Sequence, residues 1–110
     1  MAKHKGTQKY NGKDLIFGEL RMGFIRENKD LVTISLQSSK TLDELASMAP
    51  LVHQSLRHGM GDKAPAYGFL DELTPDEMTM AVRDMLQAIG YIFKPVYGQE
   101  TQAPGESSQV

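Results

Sequence analysis

The sequence predicts a mostly helical α+β domain, with an N-terminal β-hairpin packed on a small helical bundle and a disordered C-terminal tail. Three observations lead there. Asn11-Gly12 separates two runs that carry Tyr10, Leu15 and Phe17, and both turn residues tolerate the positive φ that a tight hairpin requires. Residues 41–60 place apolar side chains at three- and four-residue steps behind a capping sequence. Residues 74–89 repeat that pattern. One domain is expected from 110 residues, organised as a flexible lead at 1–7, a globular unit at 8–96 and a tail at 97–110.

Residues 1–7 are polar and basic and read as mobile. A hairpin over 8–17 is marginal alone, so Tyr10, Leu15 and Phe17 are expected to share an inward face against the helices. Residues 19–27 read as a helix through Leu20 and Phe24, although Leu20, Met22 and Phe24 also fit strand alternation. Residues 30–37 read as a second short helix, although the β-rich Leu31-Val32-Thr33-Ile34 keeps a strand open there. In 41–60, Thr41 and Glu44 make a capping box, and Asp43 and Glu44 put negative charge in the first turn. Leu42, Leu45, Ala49, Val52 and Leu56 form the stripe. Pro50 interrupts it, removing a hydrogen bond and clashing with the preceding turn at a cost of about 3 kcal/mol. A kink near 46–50, or two helices meeting there, follows. The stripe stays in phase across Pro50, which favours the kink.

Residues 61–69 form a Gly/Pro loop with a single turn at 69–73. Thr74 as N-cap, Pro75 at the first position and the acids Asp76 and Glu77 open the next helix. Its stripe is Met78, Ala81, Val82, Met85, Leu86 and Ile89, and Gly90 is its stop. The core is expected where Leu45, Val52 and Leu56 face Val82, Met85 and Ile89, closed by the hairpin. Residues 91–96 are expected to pack back, extended. The tail is rich in Gln, Ser, Gly, Glu and Pro and buries too little apolar surface to offset its ordering entropy.

Composition excludes several classes. Hydrophobic residues make 40%, charged ones 24%, and the net charge is −2, so there is no general polyanion-binding signal. Charge is uneven: residues 1–30 carry seven Lys/Arg against four Asp/Glu, and residues 67–110 two against seven. There are no cysteines, which removes disulfides and thiolate sites. No apolar run is long enough to span a membrane, and the basic start has no apolar stretch of a signal peptide, so a cytoplasmic location is expected. His53 and His58 are five residues apart and point about 140° apart on a helix, a poor spacing for one metal ion. The acids Asp71, Glu72, Asp76 and Glu77 read as helix-start electrostatics. Neither a G-x-S-x-G setting nor a phosphate-binding glycine loop is present. Arg21, Arg26 and Lys29 are diluted by Glu19, Glu27 and Asp30, which disfavours nucleic acid. No catalytic, cofactor-binding or metal-ligating residue is expected, and the chain is not expected to be an enzyme.

The order of parts carries a resemblance. A short hairpin ends in Leu15-Ile16-Phe17-Gly18-Glu19-Leu20-Arg21. A helical stretch follows, then a main helix with Met48-Ala49-Pro50-Leu51-Val52-His53-Gln54-Ser55-Leu56-Arg57. A polar loop leads to Leu73-Thr74-Pro75-Asp76-Glu77, a last helix and a polar tail. Over about residues 8–92 this resembles the small tail assembly chaperones of long-tailed bacteriophages, with Pro50 a departure from their pattern. The resemblance implies a non-enzymatic protein of the host cell cytoplasm. It would coat the long helical tape measure protein before tail polymerisation, keep it soluble and help recruit tail tube subunits. Such proteins are often made in two forms by a frameshift near the C-terminus. Self-association is left open, and no residue-level site transfers. A structural adaptor or head–tail joining protein of a phage particle is the alternative reading, followed by a small regulatory binding protein.

A chaperone for an amphipathic helix needs apolar side chains on its surface. Leu51 and Met80, each on the polar side of its helix pattern, are the expected partner-binding residues, with Tyr67 and Phe69 from the loop between them. The tail gives the first test. Deleting residues 99–110 is expected to leave the melting temperature essentially unchanged, because a segment of this composition makes no core contacts. Well-dispersed amide signals or strong exchange protection in those residues would contradict the expectation.

Overall fold

We describe the chain over residues 3–90 of a computed structural model. The expectations for 91–96 and for the tail at 97–110 lie outside the described residues. The chain begins with a two-stranded antiparallel sheet, β1 (Lys3–Lys5) and β2 (Ile16–Gly18). Lys3 lies opposite Gly18 and Lys5 opposite Ile16. Between the strands, Asn11 and Gly12 take φ of 49° and 80°, and Tyr10 and Lys13 exchange both backbone hydrogen bonds. That is the tight turn expected of Asn-Gly, with positive φ at both central residues. Tyr10, Leu15 and Phe17 are all buried.

The first strand, Lys3–Lys5, falls within the stretch expected as a mobile lead. Lys3 and Lys5 are exposed, and His4 between them turns inward, so polar composition concealed a period-two edge strand. The first strand also lies earlier than the expected 8–10. The reason is at Thr7, whose N–H donates to the Asp84 carboxylate at 3.0 Å and so is lost to the strand ladder.

Four helices fill the middle of the chain: α1 (Met22–Glu27), α2 (Lys29–Ser35), α3 (Leu42–Ala46) and α4 (Ala49–Met60). The strand alternative at 30–37 is not taken. β-branched residues favour strands only where a neighbouring strand offers a pleated surface, and among the described residues β1 is the only partner of β2. Pro50 splits the expected long helix into two instead of kinking it. Proline has no N–H for the carbonyl of Ala46, and its ring clashes there, so α3 stops at Ala46. Pro50 then falls in the first turn of α4, where a missing N–H costs nothing. The break changes the phase of the buried face. Leu42 is turned out and is 72% exposed, and Leu51 is fully buried.

After α4, Gly61 at φ 60° ends the helix. Short 3-10 turns follow at Gly61–Lys63 and Tyr67–Glu72, the second in place of the single turn expected at 69–73. The last helix, α5 (Pro75–Ala88), has the expected Thr74 N-cap, Pro75 at its first position and Gly90 beyond its end at φ 84°. α4 packs on β2, on α5 and on the Tyr67–Glu72 turn, and both strands also rest on α5. Leu45, Val52, Leu56, Val82 and Met85 are buried as expected, while Ile89 is only half-buried at the margin. Met48, Leu51 and Leu86 complete the interior with the three hairpin residues.

The sheet reaches α4 through glycine. A Cβ built on Gly59 would lie 2.1 Å from the Ile16 carbonyl oxygen, and one on Gly18 2.6 Å from the Gly59 nitrogen. Ser55 Oγ donates to the Gly18 carbonyl at 2.7 Å within the same contact. Gly59→Ala is expected to destabilise the fold by about 3 kcal/mol or more, the upper end for overpacking, because backbone and not a flexible side chain must move. Gly23→Ala, in α1 with nothing within 4 Å, is expected to be neutral or stabilising by up to about 1 kcal/mol. Urea melts of the two variants check the contrast.

Candidate functional site

The structure does not assemble Leu51, Met80, Tyr67 and Phe69 into one exposed surface. Leu51 is fully buried and is withdrawn as a partner residue. α4 is covered on one side by β2 and on another by α5 and the Tyr67–Glu72 turn, so its buried arc is wider than the single stripe an amphipathic helix normally shows. Met80 is half-buried against the core, as is Phe69. The Lys13 ammonium lies 5.6 Å from the Phe69 ring centroid. Tyr67 is exposed at 45% and meets the His53 ring edge to face, 5.2 Å between centroids.

An apolar groove lies elsewhere, where α3, the start of α4, the Tyr67–Glu72 turn and the start of α5 converge. Leu45, Ala49, Leu70 and Met78 are its buried floor, Leu73 is a half-buried wall and Leu42 is its exposed lip. Both helix starts beside it are held by complete capping boxes. Thr41 Oγ1 accepts from the Glu44 N–H at 3.1 Å, and Glu44 Oε1 accepts from the Thr41 N–H at 2.9 Å. Thr74 and Glu77 repeat this at 3.1 and 2.9 Å. The Glu77 carboxyl also accepts from the Asn11 N–H. Together the Thr74 and Asn11 backbone donors hold its pKa below the usual carboxylate range. The groove is about 240 Å³, below the roughly 300–1,000 Å³ of small-molecule sites. It suits a few apolar side chains from another chain and brings no acid–base pair together.

A larger, polar groove of about 510 Å³ lies beside the end of α4, lined by His53, Gln54, Arg57, His58, Asp62 and Tyr67 among others. Its histidines do not converge on one point: His53 meets Tyr67 edge to face, and His58 Nε2 lies 3.1 Å from the Gln54 amide. The carbonyl end of a helix disfavours anions there. No group of three or more metal-ligating side chains occurs among the described residues, and no described helix is long and apolar enough to cross a membrane.

Asp84 was missed from the sequence. It is 1% exposed on α5, and its Oδ2 accepts from the Tyr10 hydroxyl, from the Thr7 N–H at 3.0 Å and from Thr7 Oγ1 at 3.4 Å. His4 Nε2 lies 3.1 Å from Oδ1. The signal was an acid between Ala81 and Ala88 on the apolar face, where small neighbours leave room for a partner from another element. A buried carboxylate so fully surrounded ties elements together and offers no face to a substrate.

No family model matches the chain, and no curated protein or solved structure does either.

The Asp84 cluster has a pH consequence. Burial first, then the hydrogen bond and negative charge of Asp84, raise the Tyr10 pKa above its ordinary value near 10. Above that pH the unfolded chain loses the Tyr10 proton and the folded chain keeps it, so unfolded protein binds fewer protons and stability falls as pH rises, by at most about 1.4 kcal/mol per pH unit. Tyr10→Phe is expected to lose this alkaline slope. It should also cost about 1–3 kcal/mol at neutral pH, because a buried acceptor loses a donor. Urea melts from neutral pH to above pH 10 check both.

Proposed function

We propose that the chain is a non-enzymatic tail assembly chaperone of the kind found in long-tailed bacteriophages. It holds a long amphipathic helical partner, the tape measure protein, in soluble form until tail tube subunits are recruited. The sequence supports this through its order of parts. The observation that carries the reading is the apolar groove with Leu42 left 72% exposed at its lip. A leucine in that position is tolerable in the free protein, and covering it contributes up to roughly 1.5–3 kcal/mol to binding. The floor is preformed by two capped helix starts, which lowers the ordering cost of association.

The test is co-expression with a tape measure protein, which this reading expects to be encoded beside this chain, followed by pull-down from the soluble fraction. The intact chain is expected to keep that partner soluble and bound, and Leu42→Asp to lose both while melting like the parent. If the intact chain leaves the partner insoluble and unbound, the chaperone reading fails.

A further inference from the structure

We propose that the groove between the starts of α3 and α5 takes an apolar helix face flanked by lysine and arginine. The inference rests on the chaperone reading only for the identity of the partner. The basis is the charge around the apolar floor. Asp71 lines the groove itself, Asp43 follows the lip residue Leu42, and Asp76 follows the lining residue Pro75. All three are exposed. Glu44, Glu72 and Glu77 stand in the same turns, engaged with Thr41, Asn11 and Thr74. His4 pairs with Asp84 and Lys9 with Asp14, and neither pair includes one of these six acids. The Lys40 ammonium donates to the Gln37 carbonyl at 2.8 Å.

Magnitudes decide the sign of the field. Each helix start supplies about half a positive charge at most, and Lys40 beside Glu44 and Lys13 over Phe69 supply one each, against six carboxylates, so the rim stays negative. A flanking lysine or arginine on a partner gains from that field, and an acidic flank is repelled. The same rim argues against a second copy. A two-fold contact would set this patch on itself, acid against acid. The small volume argues against a metabolite.

Two synthetic helical peptides test this. They share one leucine stripe at i, i+3, i+4 and i+7 and differ only in flanking positions, lysine in one and glutamate in the other. Calorimetric titration of the full chain is expected to show the lysine peptide binding at least about tenfold tighter, with the difference shrinking at high salt and a negative heat-capacity change. Asp71→Asn lies outside both capped helix starts and is expected to keep the parent melting temperature while weakening the lysine peptide severalfold. Adding Asp43→Asn should weaken it further. Equal binding of the two peptides overturns the proposal. So does full affinity for the lysine peptide in a well-folded Asp71→Asn variant, or a self-association that Leu42→Asp abolishes. Lysine-peptide selectivity together with failed tape measure rescue leaves this inference standing and removes the chaperone reading. Successful rescue with no selectivity does the reverse.

Discussion

Where β2 crosses α4, backbone lies on backbone. Gly59 has no side chain to hold the sheet away, and the Ile16 carbonyl occupies the space a Cβ would need. Gly18 makes the same concession from the strand side, and Ser55 pins the contact by donating to the Gly18 carbonyl. This closeness lets a sheet of two short strands exist at all. A hairpin of that size is marginal in water, and here the buried faces of Tyr10, Leu15 and Phe17 meet α4 and α5 directly. Tyr10 and Phe17 pack edge to face, 6.0 Å between ring centroids, the arrangement aromatic quadrupoles favour.

A second constraint ties the other end of the hairpin to α5. Burying a carboxylate is costly unless its lone pairs are satisfied, and among the described residues the donors to Asp84 all come from the hairpin. The turn tip is held as well, because the Asn11 N–H donates to Glu77 and the Asn11 amide donates to Glu72. One small sheet is thus fixed by close packing at α4 and by polar contacts at α5. Polar contacts of this kind add little net energy when made, yet their loss is expensive.

The groove follows from the proline break. With α3 ended at Ala46 and α4 begun at Ala49, the first helix tips its Leu42 outward while Leu45 stays on the floor. Both leucines belong to α3, and of the two only Leu45 is turned to the core. The feature that reads as a flaw in the helix therefore opens the surface on which the proposed function depends. The acids that cap and charge the helix starts also give that surface its sign.

Sequence by itself determined what depends on neighbours within a few residues. The Asn11-Gly12 turn, the Thr41 and Thr74 capping boxes and the Gly90 stop were all legible, because each is a contact spanning at most a single turn of chain. Most of the core was legible too, since helical period reports which side of a helix is apolar. Tertiary structure alone decided the rest. Leu51 is buried because α4 has neighbours on more than one side, which no single-helix pattern records. Lys3–Lys5 is a strand because β2 lies beside it. The groove needed the break at Pro50, whose outcome as kink or gap is set by packing on both sides. Ser55 finds its acceptor 37 residues away and Asp84 meets His4 across 80. At such separations local propensity carries no information, and only the folded chain brings the partners together.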